Sequence, residues 1–242
     1  MSTQTSRGRS ARTGKKNNNN RMIWIIGGAI AILAVILIAV SQLNQPSVAS
    51  VTPRSSGAEP RTAEGFYYKG PADAKVVVTE YADFQCPGCA YFARSAAAAF
   101  EAEYVATGKI QFVYHEYPLS GHANAVPAAE AARCAGDQNA FWAMHGLLFN
   151  NQRVWASLAS PNRQFVSFAQ QLGLNTETFS QCLDNGTYRQ AILNARDAGN
   201  ALRLPGTPSF AVNGKLVDNT GAQSVDDIVA RVRAAIEAEL AQ

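Results

Sequence analysis

Cysteine is scarce in this chain of 242 residues: there are four, too few for a scaffold built from disulfides. Charge is scarce as well, at 16% of residues against 47% apolar, which excludes a disordered chain and a charged coiled-coil rod. With 18 Gly and 10 Pro it is no collagen-like fibre either. Only three histidines occur, His115, His122 and His145. They are scattered without the spacing of a metal site or a catalytic triad and read as surface or core residues. No internal repeat is visible. The first 45 residues lack any acid while holding six of the 21 basic residues: Arg7, Arg9, Arg12, Lys15, Lys16 and Arg21. The remainder then carries 15 basic (21 less 6) against 18 acidic residues, a net of −3 where the whole chain has +3. The basic excess belongs to the N-terminus, and a nucleic-acid surface on the main body has no support.

Charge is absent altogether from Met22 to Val40, where the chain reads MIWIIGGAIAILAVILIAV. At 1.5 Å rise per residue such a run covers a hydrocarbon core of roughly 30 Å. The basic cluster lies directly before it, so the positive-inside bias keeps the N-terminus in the cytoplasm and exports everything after Val40. A signal peptide cleaved near Ser47-Val48-Ala49 is the alternative, but the apolar stretch is longer than the usual signal core of about 7–15 residues. The expected layout is a basic cytoplasmic tail over residues 1–21, a single transmembrane helix over 22–40 and a flexible linker over 41–65. A working domain over 66–242 follows. The Ser-, Pro- and Gln-containing linker reaches roughly 25–30 Å, so the domain hangs close to the membrane surface.

Within that domain Lys75 to Tyr81 is a β-branched run and reads as a strand. Residues 90–106 follow as a helix with Phe92, Ala96, Phe100 and Tyr104 on one stripe, and Lys109 to Tyr117 as a second strand. Strand, helix, strand suggests a parallel βαβ unit. Residues 123–201 are helical in character, with breaks near Gly136, Ser160-Pro161, Gly173 and Asn185-Gly186. Asn213-Gly214 between Ser209–Asn213 and Lys215–Asp218 signals a tight hairpin. Ser224 with Asp227 opens a last helix in capping-box spacing. Its apolar face is Val225, Ile228, Val229, Val232, Ile236 and Leu240. The outline is α/β with a helical insertion.

Cys86-Pro87-Gly88-Cys89 carries the chemistry. It follows a strand and opens a helix, where unpaired backbone N–H groups and the macrodipole stabilise a thiolate. Such motifs draw a cysteine pKa from about 8.5 toward 3.5–7.5. Stabilising the thiolate stabilises the reduced form and makes the disulfide a better oxidant. A structural zinc site needs a second ligand pair at short spacing, and Cys134 and Cys182 are far from each other and from the motif. A c-type haem needs His after the second cysteine, where Ala90 stands. A merely structural disulfide within the motif remains as the alternative. No metal and no cofactor is called for.

Cys134 and Cys182 lie in separate helical stretches; in an exported compartment they pair as a structural staple, with two buried free thiols as the alternative. Glu80, on the strand into the motif, either faces solvent or lies beneath the cysteines. In the second case its pKa rises and it exchanges a proton with Cys89. Pro208, after Thr207, is a candidate cis proline, an ordinary trans turn being the alternative. Phe84 and Tyr91 flank the motif as a peptide-binding rim or as core.

The segment Glu80-Tyr81-Ala82-Asp83-Phe84-Gln85 before Cys86-Pro87-Gly88-Cys89, together with the late Gly206-Thr207-Pro208, resembles the DsbA-type thiol–disulfide oxidoreductases of the membrane-anchored bacterial kind. The resemblance covers about residues 70–239, including a helical insertion with a cysteine pair. It implies a thioredoxin-like fold with a helical domain inserted at about 120–200. It also implies a cis Pro208 facing the disulfide, Thr207 touching the substrate backbone and Glu80 as the buried acid. The Pro-Gly dipeptide lacks the histidine of the strongest oxidants of that type, which implies a milder oxidant.

The expected function is therefore disulfide introduction into exported cysteine-containing polypeptides through Cys86–Cys89, with reoxidation by a membrane quinone-linked thiol oxidase. A reductase or isomerase of the same fold is the alternative in redox chemistry. A non-catalytic anchored module that binds proteins is the alternative outside it.

Overall fold

The computed structural model describes residues 57–242. The expected tail, the apolar run 22–40 and most of the expected linker lie outside the described residues. Among the described residues no helix is long and apolar enough to cross a membrane.

Strands β1 (Tyr68–Lys69), β2 (Val76–Ala82), β3 (Ile110–Glu116), β4 (Ser209–Val212) and β5 (Lys215–Leu216) form one sheet in the order β1-β3-β2-β4-β5. β2 and β3 run parallel, Val76 opposite Ile110 and Glu80 opposite Tyr114. The crossover between them is one helical segment over residues 87–105, here α1. It is α-helical over Pro87–Tyr91 and Ala97–Phe100, with π-type turns over Phe92–Ala96 and Glu101–Val105. Phe92, Phe100 and Tyr104 bury its apolar stripe against the sheet, where Phe92 meets Phe112 and Phe210. β4 lies antiparallel to β2 and turns into β5 at Asn213-Gly214, both with positive φ (48° and 76°) as a two-residue hairpin requires. The Asn213 side chain also ties this turn down, accepting from Val77 N and donating to Glu239.

Between β3 and β4 the chain builds α2 (Ala125–Gly136), α3 (Phe141–Asn150), α4 (Gln152–Trp155), α5 (Asn162–Gln171), α6 (Thr176–Asp184) and α7 (Arg189–Ala201). The last helix, α8 (Val225–Leu240), starts on the full Ser224/Asp227 capping box and buries Val229, Val232 and Ile236. Leu240, read as part of that apolar face, is exposed. α2 is alanine-rich because it is enclosed: Ala128, Ala131, Ala132 and Ala135 are all fully buried. At Gly136 a Cβ would collide with the Tyr67 hydroxyl. Cys134 on α2 is bonded to Cys182 on α6, across Cα atoms 5.9 Å apart.

Two polar contacts stand out among those that tie the insertion to the rest of the domain, the first of them to the sheet. Arg133 donates from Nε and Nη2 to the two carboxylate oxygens of Glu116, at 2.7 and 2.8 Å, with both side chains buried. Removing one partner of such a pair strands the other charge. Arg133→Met is expected to cost about 3–5 kcal/mol in urea unfolding, and Arg133→Met with Glu116→Leu much less than twice that. Glu59 makes the second contact. Its carboxylate accepts from the Phe141 and Trp142 backbone N–H groups and so satisfies the start of α3, where Ala140 offers no capping side chain. Arg61 stacks over Tyr67 and reaches Asp137. Glu59 and Arg61, inside the stretch 41–65, are thus held against the body.

Candidate active site

β2 ends by aiming the chain at the start of α1. Asp83 makes the turn: its Oδ1 accepts from Gln85 N at 2.7 Å, and its backbone carbonyl accepts from Cys86 N at 3.0 Å. Cys86 is then the N-cap residue, extended at φ −71° and ψ 125°, with Pro87 in the first helical position where a missing N–H costs nothing. Cys89 is one turn further in. Both thiols are free; Cys86 is 7% exposed and Cys89 not at all.

The Gly206–Pro208 loop closes over the pair. The Thr207–Pro208 peptide is cis, and the Cys86 thiol donates to the Thr207 carbonyl at 3.2 Å. Gly88 eases this approach, since a Cβ there would press to 3.1 Å on Pro208 Cδ. Gln152 of α4 donates to the carbonyls of Phe84 and Cys86, and Gln85 holds Asn124 N and the Ala156 carbonyl. The insertion and the motif are thereby locked in register.

The two sulfurs are electrostatically unlike. Cys86 is drawn down to about 6, first by the hydrogen bond from the Cys89 thiol, then by the Thr207 side chain and the backbone N–H groups of Cys89 and Gly88; burial opposes them. The backbone N–H groups, which the sequence offers together with the helix dipole as the cause, contribute less than the neighbouring thiol. Cys89 is pushed far up, by burial first and then by Cys86. The arrangement therefore holds an anion at the outer sulfur and a proton at the inner one.

Glu80 lies beneath, 2% exposed, with Oε1 lacking a hydrogen-bond partner among the described residues. Its carboxyl is raised to about 8, by burial first and then by Glu101 and Cys86, with Lys69 opposing. Glu80 and Cys89 are thus both protonated at neutral pH, with Tyr114 beside Glu80 across the strand pair. Lys69 holds both oxygens of Glu101 at 2.7 Å and sits 4.3 Å over the Trp142 ring. Lys69→Met is expected to raise the Glu80 pKa and Glu101→Gln to lower it, read from the Glu80 carboxyl stretch in infrared difference spectra against pH. Shifts of one sign in both variants would contradict the assignment.

Of the residues singled out in the sequence, Cys86, Cys89, Thr207, Pro208 and Glu80 converge on this one place. Cys134 and Cys182 stand apart as a bonded pair. Phe84 is core, at 1% exposure, and Tyr91 belongs to the rim, at 41%, with its hydroxyl on Asp226. His115 stacks on Phe66, and His145 lies among Phe84, Tyr114, Trp142 and Phe149, kept neutral by burial. His122 was not legible as a site neighbour: its Nδ1 is 2.6 Å from Asp83 Oδ2, which also accepts from Leu119 N. No spacing in the sequence links positions 83 and 122. Lys69 and Glu101 were missed because their only tie to the motif runs through three-dimensional packing.

A family model described as thioredoxin matches residues 62–232. A Rickettsia typhi protein that carries the name of a protein-disulfide oxidoreductase is 32% identical over 171 residues, covering 70% of this chain and 62% of that protein. The chain spans about 60% of the length of such Rickettsia relatives. Among solved structures, oxidised BdbD of Bacillus subtilis superposes with a TM-score of 0.65 at 22% identity, over 76% of this chain and 98% of that one. Alpha-DsbA1 of Wolbachia pipientis gives 0.61 at 20%, over 75% and 94%.

Proposed function

This chain belongs to the thioredoxin family, with the helical insertion of its DsbA-type members, and from that premise we propose that it introduces disulfides into exported polypeptides. The observation that carries the reading is the asymmetric pair: a thiolate-favouring, rim-facing Cys86 and an enclosed, protonated Cys89 beside a protonated Glu80.

In the oxidised protein a substrate thiolate attacks Cys86 Sγ, forming a mixed disulfide and breaking the Cys86–Cys89 bond. Cys89 leaves as a thiolate and takes the Glu80 proton, because burial makes a charged Cys89 costly. A second substrate thiolate then attacks the substrate sulfur, expelling Cys86 as the stable thiolate. The substrate has passed two electrons to the enzyme and released its two thiol protons to solvent, from which Glu80 is reprotonated. The cis Pro208 loop and the Thr207 carbonyl line the place where the substrate backbone would lie.

The location and partners form part of the proposal. Residues 22–40 would anchor the domain outside the cytoplasm, and a membrane quinone-linked thiol oxidase would drain its electrons. What supports export is the uncharged run behind a basic tail, joined by the Cys134–Cys182 bond, since such bonds persist in oxidising compartments. The experiment is equilibration of the Cys86–Cys89 couple with glutathione. A potential above about −200 mV supports the oxidase; one near thioredoxin's, about −270 mV, assigns a reductase.

A further inference from the structure

Away from the cysteines, the chain leaving β3 and helix α7 enclose a cleft of about 310 Å³ lined by Tyr117, Pro118, Leu119, Ser120, Arg196 and Asn200. That size takes one residue-sized group rather than a large cofactor. Its floor is apolar: Tyr117 is buried and packs with Leu119, Leu204, Tyr81 and Ala211. A Cβ at Gly199 would run into the Tyr117 ring, so α7 lies tight against that floor.

The polar groups at the mouth are donors. Arg196 and Asn200 are four apart and share a face of α7. Asn200 Oδ1 already accepts from the Tyr117 hydroxyl at 2.9 Å, which leaves the amide NH2 to offer. Arg196 touches only Asp197, through Nε at 3.5 Å, and its two terminal nitrogens make no hydrogen bond among the described residues. Ser120 is exposed and adds a hydroxyl. A guanidinium fork, an amide and a hydroxyl over an apolar floor select an acceptor-rich anion with an apolar body.

We propose that this cleft is a second binding site, for a carboxylate attached to one residue-sized apolar group, separate from the cysteine pair. The carboxylate can belong to a small acid or to the C-terminus of a peptide. The site bears on the catalytic turn through its own wall: Leu119 N and His122 are held by Asp83, whose other oxygen holds Gln85 next to Cys86. Its other wall, α7, leads within a few residues into Thr207-Pro208.

The test is calorimetric titration of the full chain with N-acetylleucine and with a short acetylated peptide ending in leucine, each beside its C-terminal amide. At least one acid is expected to bind at least about tenfold more tightly than its amide, and Arg196→Gln to remove that preference. Whichever acid binds more tightly identifies the source of the carboxylate. Ser120→Ala, which leaves the charge in place, is expected to weaken binding less. Equal binding of acids and amides, no binding of either acid, or an unaltered preference in Arg196→Gln would overturn the proposal. The same result is expected in Cys86→Ser, so failure of the redox reading and failure of this one are distinguishable.

Discussion

Cys86→Ser is expected to reduce the oxidation of a dithiol peptide to the uncatalysed rate, whereas Cys89→Ser is expected to stop after one step with a monothiol peptide, as a mixed disulfide at Cys86. The two variants differ because the sulfurs do. Cys86 sits at the N-cap with the Thr207 loop over it and is the sulfur a substrate can reach; Cys89 is sealed under the first turn. With only the outer sulfur left, Cys89→Ser loaded with an activated disulfide at Cys86 is attacked once by a monothiol peptide, and neither the enzyme nor that peptide holds a second thiol to resolve the adduct. The check is mass spectrometry of the trapped adduct beside steady-state turnover. Equal adduct formation by both variants would remove the asymmetry on which the mechanism rests. The structural staple is separable: Cys134→Ala with Cys182→Ala should lower stability by up to about 4 kcal/mol and leave the exchange chemistry in place.

Glu80→Leu is expected to slow the release of Cys89 by about a hundredfold, the lower end of what positioned proton transfer contributes. The loss should be largest below pH 8 and fade above it, for wild-type Glu80 gives up its proton near pH 8 and no longer has one to deliver. Stability moves oppositely. The folded pKa lies above the ordinary 4.5, so the folded state holds a proton the unfolded chain has released, and Glu80 costs the wild-type progressively more stability as pH rises from about 4.5 to about 8. Glu80→Leu should lose that dependence, giving a variant more stable near pH 8 yet slower. Rate measurements by stopped-flow and urea midpoints across that range separate the two effects. A variant slower at every pH by one factor would make Glu80 a packing residue.

Local signals account for what the sequence revealed of this fold. Val76–Ala82 and Ile110–Glu116 are β-branched and apolar enough to be strands wherever they pack, and Asn213-Gly214 has the one backbone preference a two-residue hairpin needs. The breaks in the insertion fall where glycine, asparagine or Ser-Pro interrupts helical periodicity. β1 left no trace because it is two residues long and exists through its pairing with Val113 and Phe112. Glu59 was read as linker because its role, capping α3 from 82 residues away, is carried by no neighbouring residue. At the site the motif fixed the cysteines by spacing, and the resemblance oriented Glu80 and Pro208. The Asp83–His122 pair and the Lys69–Glu101 pair lie 39 and 32 residues apart and depend on tertiary contact alone. The Cys86 shift is local instead: its largest contribution comes from Cys89, three residues on, through a hydrogen bond within the first helical turn that spacing does not display.

The most direct measurement is the pH titration of thiolate ultraviolet absorbance in the reduced full-length protein. One sulfur ionising near pH 6, with the second still protonated beyond pH 9, is the result this account predicts. Two sulfurs ionising together near the ordinary thiol value of about 8.5 would contradict it.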